Sequence, residues 1–265
     1  MEYEIVQLNT ARNCLRYIIN AFNIKEIYLP FYICPTLRNA VFKETCKIKY
    51  YNIDKTFMPK PEFPVDAYIV YPNYFGICSK NVKILSEKYP NLIVDNAHSF
   101  FSEPCGIASF NSVRKFFPKI RNGAFLYTTK TLKESYMKDN YSYETADLSY
   151  SELVKNETML DGEDIKLMSD CTKNYLKNTN LEDTKRILIE KFQKYDKKYA
   201  GMNLLKFDLE KNDVPYKYPL LLEYEKEADK IASSLEKQGI TIFRYWNNMP
   251  ENFEEKIFYK NLITL

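Results

Sequence analysis

Asp95-Asn-Ala-His98 closes the apolar run Leu92-Ile-Val94, and Lys115 follows within Ser112-Val-Arg-Lys-Phe-Phe117, beyond a short segment that begins Gly106-Ile-Ala-Ser-Phe. A carboxylate and an amine at the ends of two successive strands can hold an aldehyde cofactor between them. The lysine condenses with the aldehyde as a Schiff base, and the carboxylate pairs with a protonated ring nitrogen so that the ring draws electrons. Pyridoxal phosphate is the cofactor that needs this pair. A lysine in a water-poor pocket loses part of its charge and becomes a nucleophile, and Arg114 with Phe116-Phe117 offers such a setting. Lys119 and Lys130 are the rival amines, and a strand-capping aspartate with a turn lysine is the plainer reading of the same residues. His98, the only histidine, would orient Asp95 or touch the cofactor's phenolic oxygen; otherwise it is an internal hydrogen-bonded side chain.

A phosphate group needs backbone N–H donors, best found at a helix start. Asn9-Thr10-Ala11-Arg12 stands at the head of an amphipathic stretch, Thr10 to Phe22, with Leu15, Ile18, Ile19 and Phe22 at helical spacing. Small Ala11 permits close approach, while Asn9 or Thr10 could equally be an ordinary cap. Ser112 and Arg114 would add donors. No glycine-rich P-loop is present, so nothing supports binding of a nucleoside triphosphate.

The elements that would position these groups alternate. Strand signals fall at Glu26–Pro30, Lys47–Ile53, Ala67–Tyr71 and Leu92–Val94, and helix signals at Pro35–Phe42 and Lys80–Lys88. Residues 107–128 read as two more strands around the Lys115 turn. This pattern implies an α/β protein with a largely parallel sheet and helices on both faces. Ligands of such sheets sit beyond the carboxyl ends of the strands, where Pro30, Asp54, Tyr71 and Asp95 fall. From about Lys130 to Asn178 the chain is polar and reads as helical connection and loop. Asp183–Tyr199 is helical, and Tyr216–Glu223, Lys226–Lys237 and Ile240–Trp246 read strand, helix, strand.

Composition narrows the function classes. A chain of 265 residues with 45% hydrophobic side chains can bury a substantial core, as one large domain or a large and a small one. Its 38 basic and 35 acidic residues are spread along the chain and leave no nucleic-acid footprint. No apolar run is long enough for a membrane span, and the acidic start, Met1-Glu-Tyr-Glu, is unlike a secretory leader. Six irregularly spaced cysteines without a C-x-x-C argue against a zinc site and for reduced thiols in the cytoplasm.

The runs Leu8-Asn-Thr-Ala-Arg-Asn-Cys-Leu15, Tyr28-Leu-Pro-Phe-Tyr-Ile-Cys34, Asn73-Tyr-Phe-Gly76, Val94-Asp-Asn-Ala-His98 and Ser112-Val-Arg-Lys-Phe-Phe117 come in an order that resembles the DegT/DnrJ family. Its members are pyridoxal-phosphate-dependent, fold type I sugar aminotransferases, and this chain looks like a short divergent one. Val214-Pro-Tyr-Lys-Tyr-Pro219 and Ile242-Phe-Arg-Tyr-Trp246 resemble the family's C-terminal lobe. The resemblance implies a mostly parallel mixed sheet flanked by helices, with residues 1–180 as the cofactor-binding large domain and 181–265 as a small α/β lobe. It makes Lys115 the cofactor lysine and Asp95 the ring-nitrogen partner. Thr10, Ala11 and Arg12 fall on the phosphate turn, Ser112 beside it, and His98 near the ring. Either Tyr32 or Cys34 covers the ring face. The activity implied is amination of a keto-sugar, nucleotide-linked, with glutamate as donor, by a cytoplasmic homodimer; surface-polysaccharide synthesis is the family's usual setting.

Several positions depart from the family. Thr10-Ala11-Arg12 stands where Ser-Gly-Thr is usual, Phe110 replaces a serine, and Asn122-Gly123-Ala124 replaces Gly-Gly. The Asn-Tyr-Arg segment that reaches a neighbouring subunit's site is not recognisable. These departures keep open a non-catalytic member that acts in binding or assembly. A sugar-modifying dehydratase of the same scaffold lacks the lysine that this chain has.

Overall fold

The structure, a computed structural model, describes residues 2–117, 119–140, 150–246 and 255–265, with side chains in the helix at 150–162 described from 155 onward. Among the described residues, seven strands form the main sheet. They are β1 (Glu4–Leu8), β2 (Glu26–Pro30), β3 (Lys47–Tyr51), β4 (Ile69–Pro72), β5 (Leu92–Asn96), β6 (Ala108–Asn111) and β7 (Ala124–Thr128), in the order β1-β7-β6-β5-β4-β2-β3. Strands β6, β5, β4, β2 and β3 run parallel, while β7 is antiparallel to both β6 and β1. The α/β expectation holds, and every strand start from β2 to β5 lies within two residues of its expected place.

Strand order decides where a ligand can sit. From β2 the chain crosses to β3 on one side, and from β4 it moves through β5 to β6 on the other. The crossovers diverge between β2 and β4, so their connections part at the carboxyl ends and leave a crevice. Because β7 is antiparallel to both neighbours, β1 also ends at that edge. Helix α1 (Ala11–Phe22) therefore starts beside the crevice. Thr10 caps it: in extended backbone, its hydroxyl accepts the N–H of Asn13 at 3.2 Å. Cys14, Leu15, Ile18 and Ile19 then bury one helical face against Ile27, Leu29, Val70, Ile93 and Phe110 of the sheet.

The opposite sheet face carries an aromatic core. Tyr32, Tyr71, Tyr74, Phe57, Phe75 and Phe258 are all fully buried, and they pack with α3 (Ser79–Lys88) and with Leu221 and Leu262. Side chains alternate along the antiparallel pair β8 (Pro219–Leu221) and β9 (Leu262–Thr264). Leu221 and Leu262 face this aromatic core, whereas Leu220 and Ile263 face Phe192, Tyr195 and Ala228 of α7 (Leu181–Tyr199) and α8 (Glu225–Glu236). Burial leaves Tyr32, Tyr71 and Tyr74 no surface for a subunit contact; they fill the core.

Two expectations need correction. Ile240–Trp246 is not a strand, since only Phe243 makes a bridge, to Thr264, and β9 takes the place beside β8. Trp246 has φ 57, a left-handed backbone that ends any extended run. Its ring instead stacks parallel to His98 at 5.6 Å, so a tertiary contact overrides local pattern. Tyr216–Glu223 forms a strand only at Pro219–Leu221. In the polar stretch 130–178 lie α5 (Tyr150–Gly162) and α6 (Asp170–Lys177); its part at 141–149 is outside the described residues.

Candidate active site

Asp95 is the penultimate residue of β5 and is 7% exposed. One carboxylate oxygen accepts the N–H of Ala97 at 2.8 Å, and its carbonyl accepts that of Asn73 at 2.9 Å. Burial pushes its pKa up from 3.8 to about 6, against the pull of the Lys115 charge and the Ala97 N–H. Lys115 lies in α4 (Val113–Phe116), a single turn between β6 and β7. The turn is anchored by its apolar residues: Val113, Phe116 and Phe117 are buried with Met168, against Phe100 and Phe101. Anchoring on both sides leaves Lys115 pointing at the crevice. Burial lowers its pKa, and Arg114 beside it adds to this, whereas Cys34, Asp95 and Glu157 pull the other way. Among the described residues its ammonium makes no hydrogen bond. The rivals Lys119 and Lys130 are exposed and away from the cavity.

These two residues line one cavity with Thr10, Ala11, Arg12, Cys34, His98 and Ser112. The cavity has a volume of about 50 Å³. Tyr32 is the expected residue the structure keeps away: its ring lies behind Trp246 at 4.6 Å and against Tyr74 and Phe258. Cys34 is therefore the one of the alternative pair on the wall, its sulfur 3.1 Å from the Thr36 hydroxyl. Trp246, Asn73 and Asn122 also line the cavity and were not expected. Each had a signal in the sequence: Asn73 and Trp246, the chain's only tryptophan, stand in resembling runs, and Asn122 in the Asn122-Gly123-Ala124 departure.

His98 is 4% exposed, stacked against Trp246 and Tyr216, with Phe75 and Tyr245 closing the cage. Its Nε2 has no hydrogen-bond partner among the described residues. Burial, with Lys115, Arg114 and Lys217 adding to it, holds its pKa well below the usual value. The ring is thus uncharged at neutral pH, and its unsatisfied nitrogen is a polar group awaiting a partner. It makes no hydrogen bond to Asp95 among the described contacts.

At the other end of the cavity, Thr10 has used the Asn13 N–H, which leaves those of Ala11 and Arg12 as first-turn donors. Ser112 heads α4 without a side-chain capping bond, so its hydroxyl is available on the wall. The Arg12 side chain, by contrast, is committed. It is 7% exposed and pairs with Glu157 and, at 3.0 Å, with Asp161, both on α5. Arg114 reaches Glu157 from the other side at 2.7 Å.

Gly123 ties α1 to α4. Its N–H donates to Asn9 at 2.5 Å, and its carbonyl accepts the N–H of Val113 at 2.9 Å. At φ +120, a Cβ there would stand 2.7 Å from the Thr172 methyl and 3.3 Å from Val113. Gly123→Ala should therefore cost about 1–3 kcal/mol of stability, read as a lower denaturant midpoint; an unchanged midpoint would show that the turn relaxes freely.

No family model matches the sequence, and no curated protein matches it. Solved structures do resemble the fold. A DegT DnrJ EryC1 StrS aminotransferase from Brucella abortus superimposes with a TM-score of 0.64 at 10% identity, over 99% of this chain and 80% of that one. The apo form of a sugar aminotransferase from Streptococcus pneumoniae, Spr1654, gives 0.64 at 14% identity, over 98% and 80%. PseC of Helicobacter pylori, an aminotransferase involved in the biosynthesis of pseudoaminic acid, gives 0.61 at 16% identity, over 100% and 81%. At such identities the likeness establishes the fold: this chain has the α/β architecture of those aminotransferases.

Proposed function

We propose that the protein is a pyridoxal-phosphate-dependent aminotransferase acting on a keto-sugar, nucleotide-linked, with glutamate as amino donor. The observation that carries the reading is the meeting of Lys115, from α4, and Asp95, from β5, in one cavity at the diverging crossovers of the sheet. The residues fit the cofactor. A half-buried amine that makes no hydrogen bond among the described residues, a carboxylate facing the cavity, the Nε2 of His98 and the open first turn of α1 are the groups its aldehyde, ring nitrogen, phenolic oxygen and phosphate require.

Bound there, pyridoxal phosphate would supply an electron sink for the carbon that carries the migrating nitrogen. Lys115 would hold the cofactor and afterwards act as acid and base, its Nζ taking the proton that leaves the donor's α-carbon and returning it on the acceptor side. Asp95 would keep a proton on the ring nitrogen. His98, uncharged, would hydrogen-bond through Nε2 without adding charge. The N–H groups of Ala11 and Arg12 and the Ser112 hydroxyl would hold the phosphate. Cys34, Leu37 and Trp246 would limit access of water. On this reading residues 1–180 bind the cofactor and 181–265 form a small lobe that delivers Trp246.

Addition of pyridoxal phosphate to the purified protein should produce a visible absorption band that Lys115→Ala lacks. A wild-type spectrum that stays that of free cofactor at saturation would oppose the reading. Occupation of Arg12 by two carboxylates favours the rival, a non-catalytic binding or assembly protein, which would give that negative result. The resemblance also implies a homodimer, the commonest closed assembly. Light scattering at micromolar concentration should give twice the chain mass; a monomer that transaminates would show a site complete within one chain.

A further inference from the structure

Glu157 holds the place of an anion. Its carboxylate lies between two guanidinium groups, those of Arg12 and Arg114, and both of these arginines line the cavity. Arg12 is the second residue of α1, where unsatisfied N–H groups add partial positive charge. The Ser112 hydroxyl borders the same cavity. Two arginines, a helix start and a hydroxyl suit an oxyanion with three or four acceptors better than a carboxylate with two.

From residue 155 onward, the helix that brings Glu157 is held mainly by polar contacts. Asn39 donates to Asp161 at 2.9 Å, Lys43 to the Asp161 carbonyl, Asn156 to the Arg121 carbonyl at 3.3 Å and, just past the helix, Arg16 to the Glu163 carbonyl at 3.0 Å. Leu160 is buried, whereas Met159 is exposed. Polar and ionic contacts near a surface exchange for water at small net cost, so this end of α5 can leave more readily than an apolar helix face.

We propose that Glu157 is an internal competitor for the phosphate of the ligand: a phosphate dianion takes the Arg12–Arg114 clamp, and the carboxylate of Glu157 is released to solvent. The clamp then discriminates by charge, because a ligand without a phosphate leaves the ion pairs in place. This rests on the cofactor reading for the identity of the ligand, but inorganic phosphate alone tests the clamp.

Glu157→Gln keeps the shape of the side chain and removes its charge. Calorimetric titration should show inorganic phosphate binding at least tenfold tighter to E157Q than to wild type, equivalent to about 1.4 kcal/mol. The gain should vanish when Arg12→Gln is added. Pyridoxal phosphate should gain similarly, and pyridoxal, which lacks the phosphate, should not. Equal or weaker phosphate binding by E157Q overturns the competitor role. If phosphate gains while neither pyridoxal form binds, the clamp stands and the cofactor reading fails. Should E157Q not fold, hydrogen exchange on the wild type decides: saturating phosphate should speed exchange across 155–162, and unchanged or slower exchange there overturns the proposal.

Discussion

Lys115→Ala is expected to lower the rate of amino transfer by on the order of 10⁴-fold, the upper range of what a positioned acid and base contributes. The loss should appear in the half-reaction with the amino donor, since removing the amine removes both the attachment point and the proton carrier. Stability should move the other way. Burial lowers the pKa of Lys115, so the folded chain holds the ammonium less readily than the unfolded chain does. Over the interval between the lowered and the ordinary value, that difference weakens as pH rises. Lys115→Met should accordingly melt higher than wild type at neutral pH, without cofactor. A variant that keeps near wild-type turnover would shift the chemistry to another amine.

Asp95→Asn should separate binding from turnover. The amide can still take the N–H of Ala97, the contact that the carboxylate now makes at 2.8 Å, so the loop keeps its shape and cofactor should still attach. Turnover should fall by on the order of 10²–10³-fold, the scale of losing one preorganised charged partner. The unliganded protein should gain stability. A folded pKa of about 6 against an ordinary 3.8 means that the folded state binds more protons than the unfolded state between those values. Stability from this group is thus full below pH 4 and is lost as pH rises through 6. A shift of that size corresponds to about 3 kcal/mol at neutral pH, reduced in the variant by what Lys115 loses when its counter-charge goes. The expected result is a higher melting temperature for D95N at pH 7–8 that converges with wild type near pH 4. Parallel melting curves at all pH values would show that Asp95 is not destabilised by burial.

The parts of the fold legible in the sequence are those coded locally. Thr10 marks a helix start because its hydroxyl can reach Asn13, and Pro30 and Pro35 mark a strand end and a helix start. Asp95 and Lys115 were legible because each follows an apolar run whose end must lie at the ligand-binding edge of a parallel sheet. Tyr32 against Cys34 was not decidable, since both sit in one turn and only the packing of Tyr74, Trp246 and Phe258 sends the larger ring inward. Trp246 reaches the site through a left-handed residue and a stacking contact across 148 positions, neither of which leaves a period in the sequence. Glu157 and Asp161 were missed for a related reason. They stand in a polar stretch without apolar periodicity, and their partner Arg12 is 145 residues away from the first of them. A choice between Ile240–Trp246 and Leu262–Thr264 as the partner of β8 likewise depends on which run meets Pro219–Leu221 in space.

The central claim is that Lys115, facing Asp95 in the crevice, carries pyridoxal phosphate. Borohydride reduction of the wild-type protein after incubation with the cofactor, followed by peptide mapping, tests it most directly. The account predicts one reduced adduct, on the peptide containing Lys115. An adduct on Lys119 or Lys130 instead, or none at saturating cofactor, would contradict it.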